Sequence, residues 1–353
     1  MEFGLSQEQI LLQDMTSKYL AEQVSLARVR QVATNESSNA AIWRELAELG
    51  IPGLMIPEVN GGVGLGALDA AVIAECLGYH VTPSAFLSSA VMAPVALIAA
   101  GKDDLLAAIA AGERRVGIAF GEAIGARRGA GITVSGNSIS GKCLFVLDAE
   151  ADDYLIADTD KNLYLVAADA TGLQRANLTT VDKTRTTCEL ILDQVAAELM
   201  STDPEVYNRS LDLGRIMQAA DTLGAAQSML DQSVVYAKQR EQFNRVIASF
   251  QAVKHMCADM VANLEPCRSL IWYAAHAIDE VPEEGRLMAC HAKAHLSEVG
   301  KEVAKTATEV HGGMGFTDLV GLHYWFKRIG ANRQLLGSPE LVREEAAKIQ
   351  GLA

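Results

Sequence analysis

The chain is short of positive charge, of aromatic rings and of paired cysteines, and each shortage closes off a class of function. Against 44 Asp and Glu it carries 30 Lys and Arg, a formal net charge of -14. Phosphate polymers and anionic bilayers repel such a surface at long range, so neither nucleic-acid binding nor membrane-surface attachment is expected, although a local Arg pocket is compatible with an acidic whole. The six cysteines (Cys76, Cys143, Cys188, Cys257, Cys267 and Cys290) include no CxxC pair. They read as reduced, buried small hydrophobes of a cytoplasmic protein, not as a metal or disulfide framework. Of the seven histidines, only His291 and His295 stand at i, i+4, with no third ligand, so no metal centre is expected. No P-loop or nucleophile elbow is present. The longest apolar run, Ala90 to Ala100, contains Pro94 and is too short to cross a bilayer. Glu2, Gln7 and Glu8 precede any apolar run, which is wrong for a secretory signal.

What is present is a large aliphatic fraction. Half of the 353 residues are hydrophobic and only 5% aromatic, the composition of an Ala-rich, mostly helical chain with core enough for two or three domains. Ser6 and Gln9 form a capping-box pattern ahead of Ile10, Leu11, Met15 and Leu20, which keep one helical face. The run Ala41 to Leu49 repeats the pattern and stops at Gly50 to Pro52. After Gly112 the 3.6-residue period disappears. Short runs at 116–120, 131–134, 138–146, 154–157 and 163–166 replace it, with Gly136-Asn137 and Asp160 to Asn162 as hairpin turns. From Pro204 the helical period returns: Leu213, Ile216, Met217, Ala220, Leu223, Leu230 and Val234 share one face. A second helix from Phe250 turns Val253, Cys257, Met260, Val261 and Leu264 inward, with a kink or break expected at Pro266. Two more follow, from about Glu283 to Glu309 and from Leu322 towards Gln350. The expected plan is an N-terminal helical domain (1–112), a middle β-domain (113–203) and a C-terminal four-helix bundle (204–353).

Three stretches carry chemistry. Between two bundle helices, Tyr236 to Gln251 reads YAKQREQFNRVIASFQ and brings Arg240, Gln242 and Phe243 to one corner. A guanidinium fork beside a flat apolar wall suits a phosphate-bearing cofactor, and the same residues also suit a solvated helix end anchored by a Phe. The loop of Pro57 to Gly66, with four glycines, serves equally as a tight connector into an apolar helix. Near the end, Glu309 to Phe316 reads EVHGGMGF, a helix C-cap followed by a turn that leaves backbone amides approachable.

Taken together, these stretches resemble the acyl-CoA dehydrogenase family. The corner is similar to its Arg-x-Gln-Phe-Gly turn followed by Phe-Gln, with Asn244 in place of Gly. Gly53 to Leu65 resembles its Pro-Glu-x-x-Gly-Gly-x-Gly loop, and Glu309 to Phe316 its Gln-x-x-Gly-Gly-x-Gly cofactor loop, with Glu309 in place of Gln. The resemblance implies a flavoenzyme: FAD accepts hydride from an acyl-CoA whose neighbouring proton a Glu removes, and an electron-transfer acceptor reoxidises it. It implies Arg240 at the FAD pyrophosphate, Gln242 beside it, Phe243 and Phe250 as apolar wall, Gln251 as a polar contact and Glu309, Val310, His311, Gly312 and Gly313 as backbone cradle.

The two family positions for the base do not carry one. One, just before an Arg that resembles Arg215, is Gly214; the other, counted from Arg328, is Gly337. Glu241 and Glu340 are the substitutes at hand. If the helix runs on through Arg240, side chains about 100° apart turn Glu241 away from whatever Arg240 faces. Asp212 and Asp221, on the first bundle helix, read as solvating groups or substrate contacts. The family's ring-binding segments correspond to Phe120 to Ala130 and Cys143 to Val146, which lack its Thr, Ser and Trp; Arg127 and Arg128 read as a solvated basic turn or a phosphate contact. Loss of base and ring segment with retention of the corner resembles the non-catalytic subunits of heterotetrameric, steroid-type acyl-CoA dehydrogenases, in which a homologous subunit holds the flavin ring, a bulky acyl-CoA and the Glu. A self-sufficient homo-oligomer using Glu241 or Glu340, and a non-redox scaffold of the same fold, are the alternatives.

Overall fold

A computed structural model of the chain describes residues 4–122, 124–125 and 131–353. Helix α1 (Gln7–Gln23) starts at the predicted capping box: Ser6 Oγ accepts the Gln9 N–H, and Gln9 Oε1 accepts the Ser6 N–H. Its inner face differs from the one expected. Leu12, Thr16, Tyr19 and Leu20 pack inward, while Ile10, Leu11 and Met15 stand 46%, 69% and 45% exposed. Helices α2 (Leu26–Ala33), α3 (Ala40–Glu48) and α4 (Ala67–Tyr79), a π-helical turn (Phe86–Met92), α5 (Ala93–Ala99) and α6 (Asp103–Ala110) complete this part. The glycine-rich connector folds onto its own stem, with Val63 N–H donating to Gly53 O at 2.9 Å and Leu65 N–H to Leu54 O at 2.8 Å.

Strands β1 (Val116–Ala119), β2 (Gly131–Ser135), β3 (Ser138–Leu147), β4 (Asp153–Ala157), β5 (Leu163–Ala167), β6 (Leu173–Leu178), β7 (Thr187–Ala196) and β8 (Glu198–Ser201) form one sheet in the order β6-β7-β3-β1-β4-β5-β8, with β2 on β3. Among the described residues, only the β1–β4 pair is parallel. Ile139, Val146, Tyr154, Cys188, Leu190 and Val195 fill the core of the sheet. A register shift between Cys143 and Val146 accommodates Phe145 at φ 55 and leaves its ring 49% exposed.

Helices α7 (Pro204–Gln239), α8 (Gln251–Glu280), α9 (Pro282–His311), α10 (His323–Gln334) and α11 (Pro339–Ile349) make the bundle. Helix α8 runs unbroken through Pro266. The proline and Ala262, whose carbonyl loses its donor, are both exposed, so water replaces the missing bond. Val261 is 47% exposed instead of inward. Helices α4 and α7 touch backbone to backbone: a Cβ on Gly78 would lie 2.0 Å from Asp221 O, and one on Gly224 would lie 1.9 Å from Glu75 O. The β6–β7 loop is tied to the bundle by Arg185 to Asp221 (2.8 Å) and by Asp182 to Arg328 (3.4 Å), and Arg328 also joins α10 to Asp221 of α7 (3.2 Å). Among the described residues, no helix is long and apolar enough to cross a membrane.

Candidate functional site

At one end of the bundle the chain leaves α7, makes a hairpin and enters α8. Arg240 caps α7 in extended geometry, and its N–H donates to Tyr236 O at 2.8 Å. The helix therefore does not continue into Glu241. Strand β9 (Glu241–Gln242) pairs with β10 (Arg245–Val246) around Phe243 and Asn244, both left-handed at φ 54 and 60. Asn tolerates that region in place of the expected Gly, whereas a Phe there is uncommon and strained. Alternation along a strand replaces the 100° step: Arg240 and Gln242 point to one face and Glu241 to the other. Phe243 is 87% exposed, with its ring edge-on to Phe250 at 6.1 Å. The guanidinium of Arg245, a residue to which sequence reasoning gave no role, lies 4.0 Å over the Phe250 ring. Gln251, the first residue of α8, is exposed.

The glycine loop reaches the same end. Helix α9 closes at His311, and Gly312 at φ 57 leads into a 3-10 turn (Gly312–Phe316). His311 stacks on Tyr236 with centroids 4.5 Å apart, joining the ends of α7 and α9. Its Nδ1 lies 2.8 Å from Ala307 O, and burial pushes its pKa down, partly offset by that hydrogen bond. The side chains of Val310 and His311 are buried, which leaves only their backbone to any cradle; Glu309 is exposed. A Cβ built on Gly312 or Gly313 meets nothing within 4 Å. Among the described residues, none comes within 4 Å of either position.

A second locus lies between the sheet and the α10–α11 turn. A cavity of about 780 Å³ is walled by Phe120, Leu144, Phe145, Leu147, Leu335 and Leu336, with Thr179, Thr180 and Ser338 among its few hydroxyls. Both segments expected to face a flavin ring border it, and they bind each other: Leu144 N–H donates to Glu122 Oε1 at 3.1 Å. Arg127 and Arg128 lie outside the described residues. At about 1.5 Å per residue, α7 separates Arg215, beside this cavity, from Arg240 by roughly 37 Å.

Arg215 is fully buried. Its Nε donates to Leu336 O at 3.1 Å and its Nη2 lies 2.8 Å from Glu345 Oε2, which pins the turn to the bundle. Neither expected base position beside it, Gly214 or Gly337, holds a carboxylate. A Cβ on Gly214 would lie 2.7 Å from both Leu336 Cδ1 and Met92 Sδ, so side chains from α7's neighbours fill that volume. Gly337 sits at φ 109, and a Cβ there would lie 3.1 Å from Val342 and 3.2 Å from Leu341.

Of the two substitutes, Glu241 is exposed at the opposite end of the bundle. Glu340 is exposed and pairs with Arg333 at 3.1 Å; the helix N-terminus, Ser338 and Arg333 hold its carboxyl below the usual range, the wrong direction for a base. Asp212 and Asp221 are buried, not solvating. Burial pushes Asp212 up to about 7, partly offset by Arg215 at 3.4 Å. Burial also opposes ionisation of Asp221, but Arg185 and Arg328 outweigh it and hold its pKa low.

As a test of fit for a flavin dinucleotide, the two loci offer different surfaces. The corner offers guanidinium groups without an ion-pair partner among the described residues and a glycine turn with no described atom close over it, which suit phosphates. The cavity is apolar, and one backbone donor of its ring-facing segments is already taken by a carboxylate.

Comparison with known proteins identifies the family. The N-terminal domain profile of the acyl-CoA dehydrogenases matches residues 6–113 and the C-terminal domain profile matches 205–350. The chain is 31% identical to the acyl-CoA dehydrogenase IpdE2 of Mycobacterium tuberculosis, over 95% of each chain. It is 28% identical to IpdE2 of Mycolicibacterium smegmatis, over 98% of this chain and 99% of that one. Among solved structures, a variant of the Tcur3481-Tcur3483 steroid ACAD superposes with TM-score 0.86 at 29% identity, covering 98% of both chains. The ChsE4-ChsE5 complex from Mycobacterium tuberculosis shares the fold, with TM-score 0.90 at 23% identity over the full length of both chains. The chain belongs to the acyl-CoA dehydrogenase family of FAD-dependent oxidoreductases.

Proposed function

We propose that this chain is the non-catalytic subunit of a heteromeric acyl-CoA dehydrogenase acting on a bulky, steroid-derived acyl-CoA, and that it supplies the phosphate end of an FAD site whose ring end and Glu base lie in a homologous subunit. The observation that carries the reading is the packing at Gly214 and Gly337. Both positions for a base are glycines, and Met92 and Leu336, or Leu341 and Val342, pack into the space beside them, so neither position carries a carboxylate. The span along α7 supports the division: a corner roughly 37 Å from the chain's own cavity is too far to serve the same dinucleotide within one chain. Relatives named as complexes of two different chains point the same way.

When bound, FAD supplies hydride acceptance from the acyl chain. The residues of this chain bind and orient it: Arg240 and Gln242 take the pyrophosphate, Phe243, Phe250 and Gln251 the adenosine side, and the backbone amides of Glu309 to Gly313 cradle the phosphates. The exposed ring of Phe243 becomes buried against the homologous subunit, which offsets its backbone strain. The acyl-CoA is held mainly by that subunit, and an electron-transfer acceptor completes the cycle.

The test is co-expression with a homologous chain carrying the Glu. The expected outcome is a colourless product from this chain alone and a yellow complex with a single FAD for each pair of subunits. A full complement of FAD on the isolated chain overturns the reading.

A further inference from the structure

We infer that Arg245 is a second cationic contact for the dinucleotide pyrophosphate, forming with Arg240 and Gln242 a two-guanidinium clamp on one face of the α7–α8 hairpin. The inference rests on the shared-pocket reading above. It starts from strand register: Arg245 stands directly opposite Gln242, and Ile247 N–H donates to Arg240 O at 2.8 Å. Residues directly opposite in an antiparallel pair share a face, as do residues two apart along one strand. Arg240, Gln242 and Arg245 therefore project together, while Glu241 and Val246 project from the reverse side.

Three further observations favour a ligand over a solvated surface. Among the described residues neither Arg240 nor Arg245 is ion-paired, although the chain has 44 carboxylates to offer and a net charge of -14. The Arg245 guanidinium is also held: it stacks 4.0 Å over Phe250, itself braced edge-on by Phe243, so its donors are oriented before anything binds. Finally, the left-handed pair Phe243 and Asn244 gives the tight two-residue turn that brings the two arginines onto adjacent strands. Two forks flanking an amide match a pyrophosphate, which presents oxygens on two phosphorus atoms.

The experiment uses the co-expressed complex, stripped of FAD and titrated with FAD by flavin fluorescence. Arg245→Met keeps an apolar contact with Phe250 and removes the charge; Arg245→Lys keeps the charge without the planar stack. The expected result is an FAD Kd at least about tenfold weaker for Arg245→Met, an intermediate Kd for Arg245→Lys, and an unchanged elution volume of the complex. Wild-type affinity in Arg245→Met alongside a weakened Arg240→Met overturns the clamp and leaves the shared pocket standing. Wild-type affinity in both overturns the shared pocket as well. Loss of the complex itself in Arg245→Met assigns the residue to subunit contact and also overturns the clamp.

Discussion

Replacing Gly313 by Ala separates what the glycine loop does for this chain from what it does for a ligand. A Cβ at this position meets no atom within 4 Å, and the residue does not have a positive φ, so the chain itself makes no demand for glycine. Restricting the unfolded state at such a site stabilises a protein by about 0.4–1 kcal/mol, so the melting temperature of the isolated chain should hold or rise slightly. FAD affinity should move the other way. A methyl group on the approach side pushes a phosphate away from the turn's amides. Loss of one charge-assisted hydrogen bond, about 1.5–3 kcal/mol, corresponds to roughly 10- to 100-fold weaker binding. Circular dichroism melting of the chain and FAD titration of the complex read the two quantities separately. Unchanged FAD affinity would show that no ligand approaches the turn; a lower melting temperature would show that the glycine serves the fold.

The same complex supports three further predictions. Gly224→Ala drives a methyl group into Glu75 O across the α4–α7 crossing and should destabilise the chain by about 1–3 kcal/mol or more, measured by urea denaturation. Asp212, with a folded pKa of about 7 against an unfolded value near 4, binds its proton more tightly when folded. Its stabilising share is therefore complete below pH 4 and falls as pH rises to 7, by up to roughly 4 kcal/mol. The stability of Asp212→Asn relative to wild type should thus grow from pH 5 to pH 8, and parallel melting-temperature curves would refute the assignment. Glu241→Gln, on the reverse face of the hairpin, should leave acyl-CoA-dependent dye reduction within about twofold of wild type, the range for a surface change away from the site; abolished turnover would make it the base.

Local signals in the chain were sufficient for the helix–sheet–helix plan and for the cofactor motifs. The Ser6 and Gln9 capping box, the period of α7 and the alternation in β3 to β5 act over a few residues, although in the fold α7 is buried on nearly every face between Ser210 and Leu230 and β4 is buried throughout. Strands β6 to β8 escaped because β6 is a largely exposed edge without alternation, and β7 is interrupted at Gln194, φ 52. The turn between α7 and α8 is legible at Arg240 to Asn244, but its strand pairing is not, because no Gly marks the two-residue loop.

The sequence by itself determined that this chain carries the Arg-x-Gln-Phe turn and lacks a carboxylate at Gly214 and Gly337, since both are statements about which residue stands where. Only the tertiary structure decided why. Met92 and Leu336 converge on Gly214 from far along the chain, and Glu122 takes the amide of Leu144. Strand register, not helical rotation, places Arg245 beside Arg240. Each of these is a contact between residues that no local periodicity relates, fixed only when close packing leaves one arrangement for the elements that carry them.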